Sequence, residues 1–160
     1  MRSTSVELFV PAAVADVWAL LADPTRMAEW DPSTGAVDAP QAPVAVGDAW
    51  TVHANLERPD GKPIRVHEKF RRRRVELLVL EEPTRIAWSI GYPDNPKGVV
   101  QRQTIELSPA VGGTNVVVSL AWPRSRGWRR LAGLPLRPMQ RFLIWLGLWQ
   151  LGGQISRLFR

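Results

Sequence analysis

The chain has no cysteine, only two histidines and one tyrosine, and no acidic side chain anywhere in residues 121–160. Lack of cysteine excludes a disulfide framework, a thiolate metal site and a cysteine nucleophile. Two histidines fall short of the three or four convergent ligands of a zinc site, so neither a metal nor a cofactor is expected. There is no Gly-x-Ser-x-Gly elbow, no Gly-x-x-x-x-Gly-Lys phosphate loop and no Gly-x-Gly-x-x-Gly fingerprint. Long hydrophobic runs are missing too. The longest mainly apolar stretch, Phe142 to Trp149, is far below the roughly 20 residues of a spanning helix. Met1 to Val10 lacks the apolar segment of a signal peptide, so a cytoplasmic protein is the expectation.

What is present fits one α+β domain over residues 1–160, a length that buries about two thirds of the unfolded surface. The net charge of +6 is unevenly placed: residues 1–120 carry 13 Lys/Arg against 15 Asp/Glu, whereas residues 121–160 carry eight arginines. That basic quarter also holds Trp122, Trp128, Trp145 and Trp149. Such a mixture suits nucleic acid, an anionic membrane or the solvated face of a packed helix.

Ser3 to Val10 alternates as a strand, and Pro11 ends it. Val14, Val17, Trp18 and Leu21 then mark one face of a helix over Ala12 to Ala22, closed by Asp23-Pro24. Thr25 to Trp30 reads as a second short helix, and Ala36 to Ala39 as a short strand. Further strands are expected at Asp48 to Glu57, Ile64 to Phe70, Val75 to Leu80, Thr84 to Gly91, Val99 to Leu107 and Thr114 to Trp122. Arg58-Pro59-Asp60-Gly61 is a strong turn signal between the first two, and Arg71 to Arg74 separates or bulges the next pair. A long helix runs from Pro135 or Pro138 to Leu158. Its middle is apolar on nearly every face, so the sheet alone does not cover it; a ligand, a second subunit, the preceding segment or lipid must cover the rest.

Val10-Pro11-Ala12, then Val17-Trp18-Ala19-Leu20-Leu21-Ala22-Asp23-Pro24 and Glu29-Trp30, resembles the opening motif of START-like (SRPBCC) polyketide cyclase/dehydrase proteins. Glu82-Pro83-Thr84-Arg85-Ile86-Ala87-Trp88 and Gly113-Thr114-Asn115-Val116 are similar to later strand–turn pieces of the same family. The resemblance spans nearly the whole chain in order. It implies a helix-grip fold: a curved antiparallel sheet of about six to seven strands around the C-terminal helix, two short helices after the first strand, and a deep cavity. Members include lipid carriers, hormone receptors and aromatase/cyclase enzymes.

Alternation assigns Trp50, Val52, Phe70, Trp88, Ile90, Leu120 and Trp122 to the cavity face, joined by Met139 and Leu143 from the last helix. Three polar residues share that phase: Glu68, Gln101 and Gln103. An inward Glu68 needs a partner or a raised pKa, unless a bulge near Arg71 turns it to solvent. Gln101 and Gln103 either orient a ligand oxygen or sit at the cavity mouth. His53 and His67 fall on the opposite, solvent face. Arg65 and Arg102 are out of phase with the cavity, against an aromatase role that the resemblance would assign to cavity arginines, tyrosine and tryptophan; Tyr92, the one tyrosine, lies at a strand end.

Arg71 to Arg74 reads as a solvated edge rather than a nucleic-acid site. Arg124, Arg126, Arg129 and Arg130 around Trp128 either fold over the cavity mouth or meet a membrane. The expected function is binding or transport of a hydrophobic small molecule, lipid or polyketide-like. The alternatives are a cyclase or dehydrase using Glu68 or Tyr92, and a docking or dimerising module.

Overall fold

The computed structural model describes residues 2–95, 100–123, 150 and 153–159. Strand β1 (Arg2–Val10) leads into helix α1 (Val14–Leu21), whose Val17, Trp18, Leu20 and Leu21 are buried. The Asp23 carboxylate accepts from the Thr25 backbone N–H at 2.9 Å and caps a 3-10 turn at Pro24–Arg26. That turn hands the chain to the single-turn helix α2 (Met27–Trp30). Strands β2 (Thr34–Asp38), β3 (Ala49–Ala54), β4 (Arg72–Glu81), β5 (Arg85–Gly91), β6 (Gln101–Ala110) and β7 (Gly113–Trp122) follow.

All pairings are antiparallel, in the order β1-β7-β6-β5-β4-β3-β2. The sheet is curved and unclosed, with β1 and β2 at its edges. Residues 153–158 form the end of a C-terminal helix. Ile155 is fully buried in the sheet's core, and the Ser156 hydroxyl donates to the Phe9 carbonyl at 3.4 Å. The result is an α+β helix-grip fold. Residues 135–149, including Met139 and Leu143, and the basic segment Arg124 to Arg130 lie outside the described residues.

One end of the concave face is closed. Helix α1 packs over β6 and β7, and Ile86, Ile105, Leu107, Val116 and Val118 are buried beneath. The Thr114 hydroxyl donates to the Ala12 carbonyl at 2.7 Å and ties β7 to the start of α1. Here β7 approaches β1 so closely that a Cβ at Gly113 would run into the Val10 carbonyl and the Phe9 ring.

Two expectations need correction. Ile64 to Phe70 is not a strand: a lone bridge joins Glu57 to Pro63, which has no N–H to extend a ladder. Beyond it the His67 ring caps a 3-10 turn at Glu68–Phe70 by accepting from the Lys69 N–H at 3.4 Å. Nor is Arg71 to Arg74 a separator at a sheet edge. Arg72, Arg73 and Arg74 extend β4, which lies between β3 and β5, and the irregularity falls later, between Leu77 and Val79.

Candidate functional site

The strand register sorts the inner side chains into rows. One row runs Trp50–Val75–Ile90–Gln101 across β3 to β6, and the next runs Leu77–Trp88–Gln103–Leu120 across β4 to β7. Directly paired residues on one sheet face bring their side chains into contact. The Trp88 indole N–H accordingly donates to the Gln103 side-chain oxygen at 3.3 Å, and both residues are buried. Gln101 is half-buried, as are Leu120 and Trp122. Trp30, the last residue of α2, lays its ring 6.0 Å from that of Trp88, so an indole pair floors the middle of the face. The sequence marks Trp30 as a helix end and as part of the opening motif, and does not place it at the site.

A third row pairs Val52 with Arg73, so one arginine of the basic run points inward. Its guanidinium Nη1 donates to Ser33 Oγ at 3.0 Å, and its Nη2 to Thr34 Oγ1 at 2.7 Å and Asp31 Oδ2 at 3.3 Å. Asp31 also accepts from the Ser33 N–H and hydroxyl and from the Thr34 hydroxyl. The two charged side chains are only 14% and 12% exposed. This network clamps the turn after α2 to the middle of the sheet. Counting the alternation back from Val75 and Leu77 puts Arg73 inward, a signal that the block of four arginines hides.

The same corner has donors to spare. Among the described residues, the indole N–H groups of Trp30 and Trp50 and the Nε–H of Arg73 are buried without an acceptor. Each such orphan costs about 1–3 kcal/mol unless water or a bound molecule meets it.

Glu68 and Phe70 do not join these rows. Glu68 is exposed on its 3-10 turn; Phe70 is 40% exposed, with Lys69 over its ring at 5.1 Å and Tyr92 edge-on at 5.3 Å. Ala54 at the end of β3 and Leu56 beyond it line an open recess of about 340 Å³ with His53, Glu68, Arg71, Arg72 and Asp94. Within it Arg72 grips Asp94 with two hydrogen bonds, one of 2.8 Å. That grip holds the Asp94 carboxyl below, and the Arg72 guanidinium above, their ordinary pKa ranges. His53 is bound to Asp38 at 2.7 Å. Among the described residues no three of His, Asp and Glu gather as a metal site, and no helix is long and apolar enough to cross a membrane.

A curved sheet with a C-terminal helix against its core defines the START-like superfamily, and solved structures agree. TTHA0849 from Thermus thermophilus is 17% identical, covering 98% of this chain and 95% of that one, with a TM-score of 0.66. CV1439 from Chromobacterium violaceum is 18% identical, with coverages of 98% and 96% and a TM-score of 0.63. The AHSA1-like protein from Aeromonas hydrophila is 17% identical, with coverages of 98% and 94% and a TM-score of 0.60. Within that superfamily, residues 1–143 match the model of the polyketide cyclase/dehydrase and lipid transport family, and the chain belongs to it. No curated protein matches the chain in sequence.

Proposed function

We propose that the concave face binds an apolar molecule bearing at least one hydrogen-bond acceptor, as a carrier or sensor rather than an enzyme. The observation that carries this reading is the pairing of an apolar floor (Trp50, Trp88, Ile90, Leu120) with buried, acceptor-less indole N–H groups at Trp30 and Trp50. Apolar walls with a few placed polar groups suit a small-molecule site. Membership of a family that includes lipid transport supports it.

A cyclase or dehydrase reading is weaker. Arg73 supplies the inward arginine it wants, but Asp31, Ser33 and Thr34 already hold both Nη groups. Gln103 does not titrate, and Glu68 faces solvent. The deciding experiment is native mass spectrometry and solvent extraction of the purified full chain. A retained apolar molecule, lost in Trp88→Ala, is the expected result; protein that stays empty when offered long-chain ligands refutes the reading.

The basic segment supports a second role: membrane contact through Arg124, Arg126, Trp128, Arg129 and Arg130, in a quarter of the chain without acid. Flotation with anionic vesicles, weakened by Trp128→Ala, is its test.

A further inference from the structure

A second basic surface lies in the connection from β3 to β4. Residues 57–74 hold eight Lys/Arg against three Asp/Glu. Arg73 is spent on Asp31, Arg72 on Asp94 and Lys62 on Asp60. Arg58, Lys62, Arg65 and Arg71 are exposed and Lys69 is half-buried. Among them Leu56 and Phe70 stand 43% and 40% exposed, just beyond β3 and on the 3-10 turn. The connection folds back on itself: the Ile64 N–H donates to the Leu56 carbonyl at 2.8 Å and Arg71 Nε to the Val66 carbonyl at 3.0 Å, and Leu56, Glu68 and Arg71 line the same recess. Exposed apolar side chains within a cation-rich connection match a surface that is anionic outside and apolar beneath.

We infer that this connection docks the protein on an anionic lipid bilayer, with Phe70 and Leu56 entering the headgroup layer and Arg58, Arg65 and Lys69 meeting lipid phosphates. Charge complementarity picks the bilayer. Nucleic acid fits less well, because the Phe70 ring is engaged by Lys69 on its face and by Tyr92 and His67, leaving no open platform for a base. In sequence this connection is distinct from the segment around Trp128.

The test is sedimentation of the full chain with vesicles of phosphatidylcholine alone or mixed with phosphatidylglycerol. Wild type should bind the mixed vesicles, release them at high salt and ignore pure phosphatidylcholine. Arg65→Gln with Lys69→Gln should weaken binding roughly thirtyfold, at about fivefold per cation lost. These side chains are at the surface, so the melting temperature should match wild type; Phe70→Ser tests the apolar half. The same loss should appear in a Trp128→Ala background. Unchanged vesicle binding in the charge variant, no preference for phosphatidylglycerol, or preference for a single-stranded oligonucleotide would overturn the inference. Ligand retention read on the same samples separates its failure from that of the proposed function: empty protein that still docks removes only the latter.

Discussion

The two ends of the concave face are built from opposite chemistry. Around Ile86, Ile105, Val116 and Val118 the inward groups are apolar and buried, apart from Thr114, whose hydroxyl is satisfied by the Ala12 carbonyl, and α1 packs over β6 and β7. Around Trp50, Arg73 and Gln101 the inward groups carry N–H donors, some without acceptors. The first end resembles any protein core, where close packing of apolar groups gives most of the stability. The second carries uncompensated polar groups, which a fold tolerates where something else arrives to meet them. Stability and recognition are thus separated along the strands rather than between layers.

The strongest way to break that comparison is to truncate one side chain at each end. Ile105→Ala empties a fully enclosed site and should cost about 4 kcal/mol, whereas Leu120→Ala, half-buried at the other end, should cost about 1 kcal/mol. Urea denaturation monitored by tryptophan fluorescence measures both. Equal losses would mean that the face is one uniform core.

A smaller effect sharpens the polar end. Asp31→Asn keeps the shape but leaves the Arg73 charge largely buried and unpaired, and should cost about 2–3 kcal/mol, below the full value for a dry pair because both side chains retain some solvent contact. Adding Arg73→Met removes the stranded charge, and the double variant should recover most of the loss. If the single and double variants are equally unstable, the clamp acts through packing and not through charge.

Period-two alternation makes most of the sheet legible, because β3, β5, β6 and β7 bury one face consistently: Trp50 and Val52, Ile86 to Ile90, and Val116 and Val118 fall where the pattern puts them. The same rule misreads Ile64 to Phe70, where Ile64 and Val66 alternate with charged neighbours but no partner strand exists to fix the phase. That false strand is what draws Glu68 into the site. Arg73 is missed for the converse reason: four identical residues show no alternation of their own, and the phase has to be carried back from Val75 and Leu77, which the pairing of Arg73 with Val52 bears out. The Trp30–Trp88 contact joins residues far apart in sequence, and no local pattern announces it.

The smallest expected effect lies outside both ends, at the ion pair of Arg72 and Asp94 on the recess. Its carboxyl pKa is depressed in the folded protein, chiefly by the hydrogen bonds from Arg72. The unfolded chain therefore binds the proton more readily, so the pair's contribution is present above the ordinary aspartate pKa and fades as pH falls through the folded value. Both groups meet water, so salt screens the pair and its loss should barely move the melting temperature near neutral pH. Titration of the Asp94 carboxyl by NMR should show a depressed value in wild type and an ordinary one in Arg72→Gln. A depressed value that survives the substitution would assign the effect to the wider basic surface, and would then strengthen the case that the β3–β4 connection presents a collective positive field rather than isolated pairs.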